Sequence, residues 1–285
     1  MPRPIRYHCS LASLRQFDEP LAAQLERIKA AGFDGVESGL PGDRDAKQFS
    51  SLLHGLAMSL GVAAYLPENT DPEPLFERAA AAGALYVEAQ VDGYWRDDEW
   101  IDDRTRQLIE LGERYQVPFL LETHRGRYTQ DPRRTLALLG RLPGLRLCGD
   151  FSHYTSTSEL KAPWPAPWRD AMLQIATRCD IVHVRMNAGQ RVQDPLCQVG
   201  SQQRAEYLHL YRHALHSGNG QVPFTVTTEL LPPDYQCVDP RTGEPQGDIW
   251  ADTKDLLAIV AQALDSVAPP KQRQPGTDHE GALMS

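Results

Sequence analysis

The chain has 285 residues, of which 41% are hydrophobic, and its formal net charge at pH 7 is −9. This length fits either one (β/α)8 barrel, which takes about 250 residues, or two small domains. The acidic balance disfavours a nucleic-acid partner, because binding to a polyanion depends on basic side chains that neutralise phosphates.

The sequence carries no sign of a membrane or secreted protein. No stretch approaches the roughly 18 apolar residues of a membrane span, and the N-terminus lacks the apolar region of a signal peptide. The five cysteines include no C-x-x-C pair and are odd in number, which is typical of reduced thiols. We therefore predict a cytoplasmic protein without a membrane partner, in which Cys148 packs in the core.

Strand-like and helix-like patterns alternate along the chain. Eight strand candidates cover residues 5–10, 34–38, 61–66, 84–90, 117–123, 145–150, 180–186 and 223–230. Between them, apolar residues recur at helical spacing. Gly32, Gly61 and Gly83 are each expected to end a helix before the next strand.

This alternation predicts an α/β protein, a single-domain (β/α)8 TIM barrel. Parallel strands need right-handed crossovers, and a repeat count of eight favours a closed barrel over an open doubly wound sheet. The sequence contains neither G-x-G-x-x-G nor G-x-x-x-x-G-K-[ST], so nothing supports a dinucleotide-binding or P-loop fold. We assign residues 1–267 to the barrel and predict that residues 268–285, which have little apolar content, form a disordered tail.

Three connections after strand candidates are long: 151–167, 187–200 and 231–249. They are rich in Pro, Trp, Tyr, Asp and Gln, and we predict that they are loops at the C-terminal face of the barrel. That face carries the active site in TIM-barrel enzymes.

Four consecutive strand candidates in the second half of the chain each deliver one side chain of a metal-ligand type, namely Glu122, Asp150, His183 and Glu229. Adjacent barrel strands place their C-terminal ends around a shared point, so these side chains can surround one divalent cation. Three carboxylates and one imidazole suit Mn²⁺, Mg²⁺ or Co²⁺, and Zn²⁺ is also compatible. For any one acidic residue alone, the alternative is a cap for the next helix.

Two further polar residues follow these strands closely. His153, three residues after Asp150, can point back over the pocket and orient a substrate oxygen, or it can face solvent in a loop. Arg185 keeps the strand parity of His183 and therefore faces the same side. It can bind a substrate hydroxyl or carboxylate, or it can pair with one of the ligand carboxylates.

Three more side chains are candidate substrate contacts. His124 shares the strand parity of Glu122 and is expected to line the pocket. Glu37 and Glu88 are expected to end strand candidates 2 and 4. Each is either an acid of the pocket or a structural ion-pair partner.

These residues resemble the xylose isomerase-like TIM barrel superfamily, which includes the sugar phosphate isomerase/epimerase and endonuclease IV groups. The similarity covers residues 5 to 265 approximately. It is carried by A-G-F-D-G-V-E at residues 31–37 and by the series Glu122-Thr123-His124, Asp150-x-x-His153, His183-x-Arg185 and Thr228-Glu229. The later series is fairly specific for the superfamily and says little about any one substrate.

The resemblance implies a site and a reaction. In members similar to D-tagatose 3-epimerase, the equivalents of Glu122, Asp150, His183 and Glu229 bind one metal ion. The two glutamates also transfer protons, and the histidine equivalent to His153 contacts the substrate. The expected function is therefore isomerisation or epimerisation of a keto-sugar or polyol-derived ketone, by proton transfer through a metal-stabilised enediolate. The expected partner is a small carbohydrate, and a homodimer is common in similar barrels.

Other activities of similar proteins are alternatives. If the second acid protonates a departing hydroxyl, as in inosose dehydratase-like members, the site becomes a dehydratase or lyase acting on a keto-inositol or keto-sugar. A non-catalytic carbohydrate-binding barrel is less expected, because a degenerate barrel tends to lose a ligand.

An endonuclease IV-like nuclease is also disfavoured. Such enzymes add histidines on strands 2 and 3 and an Asp-x-His pair after strand 7. Strand candidate 3 here ends in Tyr65-Leu66-Pro67, and the stretch after His183 offers Arg191 and Asp194 instead. Either Arg185 or Arg191 takes the place of the arginine that epimerases carry after the strand-7 histidine.

Overall fold

The computed structural model describes residues 3–217 and 222–265, which form a closed barrel of eight parallel strands. The strands are β1 (Ile5–Ser10), β2 (Gly35–Ser38), β3 (Ser59–Leu66), β4 (Val87–Val91), β5 (Phe119–Glu122), β6 (Leu147–Gly149), β7 (Cys179–Val184) and β8 (Phe224–Thr228). Neighbours in the chain are neighbours in the sheet, and β1 pairs with β8 to close it. The predicted (β/α)8 barrel is confirmed.

Helices connect the strands and cover the outside of the barrel. They are α1 (Leu21–Ala30), α2 (Asp43–Gly55), α3 (Glu73–Ala81), α4 (Asp98–Tyr115), α5 (Pro132–Arg141), α6 (Phe151–Thr157), α7 (Ala166–Ala176), α8 (Ser201–Ser217) and α9 (Ile249–Asp265). Short 3-10 helices span Leu11–Leu14, Tyr128–Gln130 and Leu196–Gln198. In the part of the chain that the structure describes, no helix is long and apolar enough to cross a membrane.

The apolar core lies between the barrel and its helices. Every residue of β7 and β8 is buried, as expected for parallel strands that are covered on both sides. The helices contribute one apolar face each, such as Leu25 and Ile28 of α1. Cys148 is fully buried, as predicted, and all five cysteines are free thiols.

Two of the three glycine predictions are confirmed. Gly32 and Gly83 follow α1 and α3 with φ of 94° and 69°, a left-handed conformation that favours glycine. The prediction for Gly61 is wrong, because this residue lies inside β3. The helix before it ends instead through Ala57, with φ of 50°.

The prediction that residues 151–167 form a loop is also wrong in part, because α6 occupies Phe151–Thr157 and its first five residues are buried. The connection 187–200 contains a short 3-10 helix, and 231–249 is irregular until α9 begins. The predicted tail at 268–285 lies outside the described residues.

Candidate metal centre at the carboxyl ends of the strands

The structure brings the four predicted ligand residues together. Glu122 ends β5, Asp150 follows β6, His183 is the last but one residue of β7, and Glu229 follows β8. One ligand atom from each lies within 4.8 Å of the others, and the first three residues are fully enclosed by protein. Closure of the barrel therefore converts four separate strand ends into one compact cluster.

Asp150 fulfils both of the roles that the sequence offered. Its Oδ1 accepts hydrogen bonds from the Ser152 backbone N–H at 2.9 Å and the Ser152 hydroxyl at 2.5 Å, which caps α6. Its Oδ2 faces the cluster, in contact with Arg185 and 3.3 Å from His153 Nε2. A carboxylate has two oxygens, so capping the helix and joining the cluster do not exclude each other.

Buried atoms without hydrogen-bond partners mark this cluster as fit for a cation. Both carboxylate oxygens of Glu122, Nδ1 of His183 and Oε2 of Glu229 are buried and lack a partner with hydrogen-bond geometry. His183 Nδ1 lies 3.2 Å from Glu229 Oε2 and 3.5 Å from Glu122 Oε1. Leaving such groups unpaired in the interior is costly. A divalent cation held by these oxygen and nitrogen donors would satisfy them.

The two glutamates differ in their affinity for a proton. Burial raises the pKa of Glu122 to about 7, although His183 opposes the shift. Burial also acts to raise the pKa of Glu229, but the charges of Arg185 and His183 outweigh it and lower this pKa to about 2. Environments that push two carboxyl pKa values apart are typical of acid–base pairs in active sites.

Arg185 is fully buried and pairs with the cluster. Its guanidinium contacts Asp150 Oδ2, lies 3.0 Å from Glu229 Oε2 and donates to the Ser152 hydroxyl at 3.2 Å. The guanidinium also lies over the ring of Tyr235, 5.0 Å from its centroid. Of the two roles that the sequence allowed, pairing with a ligand carboxylate is therefore observed. A substrate contact of Arg185 stays a prediction.

Arg191 lies apart from this arrangement. It is more than half exposed and pairs with Asp194 at 3.4 Å and with the Cys237 sulfur at 3.3 Å. Between the two arginines that sequence reasoning considered, Arg185 is the one inside the cluster.

His153 and His124 pack against each other beside the cluster. Their ring centroids are 3.8 Å apart, and His153 is completely buried on α6, so its alternative as a solvent-facing loop residue is wrong. Burial lowers the pKa of both histidines, that of His124 to about 3, where the charge of His153 adds to the effect. Both imidazoles are therefore neutral at pH 7. Together with Glu122 they form a second group of ligand-type atoms within 4.8 Å of one another.

Glu37 and Glu88 lie inside the barrel. Glu88 is the second residue of β4, so the prediction that it ends the strand is wrong, and Glu37 is the third of four residues in β2. Glu37 Oε1 is 2.7 Å from His183 Nε2, whereas Glu88 groups with Cys148 and His183. Burial and the nearby charge of Glu122 raise the pKa of Glu88 well above the usual range. Substrate contact by these two glutamates stays a prediction.

Several residues of the site were not found from the sequence. Tyr235 covers Arg185 from the connection 231–249, which was predicted to carry active-site residues, but no spacing singles it out. Ser152 orients Asp150, and Tyr86 and Thr227 donate hydrogen bonds to Glu37. These contacts join distant parts of the chain, so no local pattern signals them.

Comparison with known proteins agrees with this architecture. A family described as the xylose isomerase-like TIM barrel matches residues 25–238. The chain belongs to this family. No curated protein matches the chain significantly.

Several solved structures with a similar fold align with almost the whole chain. An L-ribulose 3-epimerase shares 15% identity at a TM-score of 0.66, covering 92% of this chain and 95% of its own. A probable 3-DHS dehydratase from Bacillus anthracis shares 18% sequence identity at a TM-score of 0.61, and the alignment covers 92% of this chain and 99% of that protein. A xylose isomerase-like TIM barrel protein from Mycobacterium smegmatis in complex with magnesium shares 15% sequence identity at a TM-score of 0.58, and the alignment covers 92% of this chain and 98% of that protein. At these identities the likeness establishes the fold.

Proposed function

We propose that this protein is a divalent-metal-dependent isomerase or epimerase that acts on a keto-sugar or a polyol-derived ketone. The observation that carries the proposal is the convergence of Glu122, Asp150, His183 and Glu229, with unpartnered buried donor atoms on three of the four. These four residues would hold the cation. Their donor set favours Mn²⁺, Mg²⁺ or Co²⁺, and Zn²⁺ is also compatible.

The residues around the cation would carry out the proton transfers. When bound, a divalent cation supplies Lewis acidity, which polarises a substrate carbonyl and makes the neighbouring C–H more acidic. Glu122 and Glu229 form the proton-transfer pair, because their carboxylates reach the cluster from two different strand ends and both lie within 3.5 Å of His183 Nδ1. His153, neutral and buried, orients a substrate oxygen, and Arg185 and His124 lie in contact with it.

A dehydratase or lyase is the second candidate, and a specific observation favours it. The neutral imidazoles of His124 and His153 lie beside Glu122 and can orient a departing hydroxyl toward the carboxyl group that protonates it. One structural neighbour is a probable 3-DHS dehydratase. A keto-inositol or keto-sugar would be the substrate in this case.

The remaining expectations belong to the same proposal. The expected partner is a small carbohydrate. We also expect the enzyme to be cytoplasmic and to form a homodimer. A non-catalytic barrel or a three-zinc nuclease is disfavoured, because the described residues keep all four ligands and β3 carries no histidine.

Incubation in D₂O with a panel of ketoses and keto-inositols tests the proposal. With the Mn²⁺-loaded protein, deuterium incorporation at carbon without loss of water would support epimerisation or isomerisation, and loss of water would support dehydration. A protein that catalyses neither reaction on any substrate, or that has no affinity for Mn²⁺ or Zn²⁺, would overturn it.

A further inference from the structure

The two ring nitrogens of His183 face different surroundings. Nδ1 points toward the cluster, 3.2 Å from Glu229 Oε2 and 3.5 Å from Glu122 Oε1. Nε2 is on the other side of the ring, 2.7 Å from Glu37 Oε1. Only one neutral tautomer leaves a lone pair on Nδ1, and in that tautomer Nε2 carries the proton. The group beside Nε2 therefore controls whether His183 can act as a ligand through Nδ1.

Glu37 is itself fixed in place. Its other oxygen, Oε2, accepts a hydrogen bond from the Tyr86 hydroxyl at 2.9 Å and one from the Thr227 hydroxyl at 3.3 Å. Glu37, Tyr86 and Thr227 are each at most 2% exposed. The Tyr86 hydroxyl also lies 3.3 Å from His8 Nδ1, which extends the polar network toward β1. Because both donors converge on Oε2, Oε1 is left facing His183.

We propose that Glu37 is a positioning residue of the metal centre, which holds the proton of His183 on Nε2 and so presents the Nδ1 lone pair to the cation. A proton this close to a carboxylate oxygen is stabilised, whereas a lone pair there is repelled. Carboxylates that accept the second N–H of a ligating histidine fix its tautomer and ring orientation in many metal sites. The inference rests on the proposed metal centre and assigns Glu37 this role in place of a substrate contact.

Glu37→Gln tests the assignment, because an amide can reverse the direction of the contact. The hydroxyls of Tyr86 and Thr227 favour the amide oxygen at the former Oε2 position, which turns the NH₂ group toward His183. An N–H donor at that position stabilises a lone pair on Nε2 and moves the proton to Nδ1. We expect Mn²⁺ affinity, measured by isothermal titration calorimetry, to fall by about 10- to 100-fold.

A spectroscopic measurement separates this role from a structural one. In the Zn²⁺-loaded wild-type protein, ¹⁵N–¹H correlation spectra should show the His183 proton on Nε2 and a metal-bound Nδ1. Asp180→Asn is the control, since Asp180 is an equally buried carboxylate of a barrel strand that pairs with Arg3 and Arg146 and belongs to no group of candidate metal ligands in the described residues. Its affinity for Mn²⁺ should stay within a few-fold of wild type.

The outcomes are distinguishable. A wild-type protein that binds no metal would overturn the metal centre and this inference with it. A wild-type protein that binds metal through Nε2, or a Glu37→Gln variant with unchanged affinity, would overturn the role of Glu37 alone. If Glu37→Gln does not fold, Tyr86→Phe is the second test. It releases one donor from Glu37, should keep the tautomer and should weaken Mn²⁺ binding a few-fold, and unchanged binding would contradict the inference.

Discussion

The residues of the metal-ligand cluster differ in how many of their polar side-chain atoms already have a hydrogen-bond or ion-pair partner. Glu122 and His183 have buried atoms without hydrogen-bond partners, whereas the two oxygens of Asp150 are occupied by Ser152, Arg185 and His153. A bound cation would therefore satisfy the unpartnered atoms of Glu122 and His183. It would have to share the carboxylate of Asp150 with Arg185.

Substitutions in this cluster should separate metal ligands from substrate contacts. Asp150→Ala and His183→Ala are expected to lose Mn²⁺, because each removes a donor from the set of four. His153→Ala is expected to keep the metal and to lose turnover, because the role we propose for His153 is to orient the substrate. Calorimetric Mn²⁺ titrations, combined with the D₂O assay, check both outcomes. Metal loss in the His153 variant would show that this histidine is a ligand.

His8 predicts a pH dependence of stability that does not involve the metal. Burial lowers its pKa in the folded protein to about 4, against roughly 6.5 in an unfolded chain. Between these values the unfolded chain binds a proton that the folded protein does not, so stability is lost as the pH falls from 6.5 toward 4. A shift of this size corresponds to roughly 3 kcal/mol.

Comparison with a variant isolates this contribution. The free energy of unfolding of wild type minus that of His8→Gln should fall by roughly 3 kcal/mol between pH 7 and pH 4 in urea titrations. Gln48, an exposed residue of α2 that does not titrate, is the control, and Gln48→Ala should show the same difference from wild type at both pH values. A pH-independent difference for His8→Gln would refute the prediction.

Elements were predicted well where a repeating apolar pattern defines them and poorly where tertiary contacts do. All eight strands were found, because buried parallel strands read as apolar runs. Helix α6 was missed, because its sequence F-S-H-Y-T-S-T is dominated by residues with low helix propensity. What favours the helix is the Asp150 cap and the burial of its first five residues.

Gly61 gives a prediction at the level of strand packing. A Cβ at this position would lie 2.2 Å from the hydroxyl of Tyr86, which is fully buried. Gly61→Ala should therefore destabilise the protein by about 1–3 kcal/mol, the usual cost of overpacking. Gly55→Ala is the control, because Gly55 is an exposed helical residue and a methyl group added there would have nothing within 4 Å. It should leave stability unchanged or raise it by up to about 1 kcal/mol in urea unfolding, and equal effects of the two changes would contradict the packing argument.

At the scale of the whole molecule, the pairing of β1 with β8 closes the sheet and sets the distances between strand ends. Metal binding and folding should therefore be coupled, since the four donors are close together only in the folded barrel. Mn²⁺ at 100 times its dissociation constant should raise the free energy of unfolding by about 2.7 kcal/mol. Glu229→Ala should abolish this gain in thermal unfolding measured with Mn²⁺ or EDTA, and an equal gain in both proteins would mean that the ion binds elsewhere.

The sequence by itself determined the eight repeats, the barrel class and the four ligand-type residues at successive strand ends, because periodicity and strand parity are local properties. Only the tertiary structure decided that Glu37 faces His183, that Arg185 pairs with two ligand carboxylates and that His124 packs on His153. These contacts join different strands and loops across the barrel. Their geometry depends on how the closed sheet staggers its strands, and no pattern within one strand encodes that.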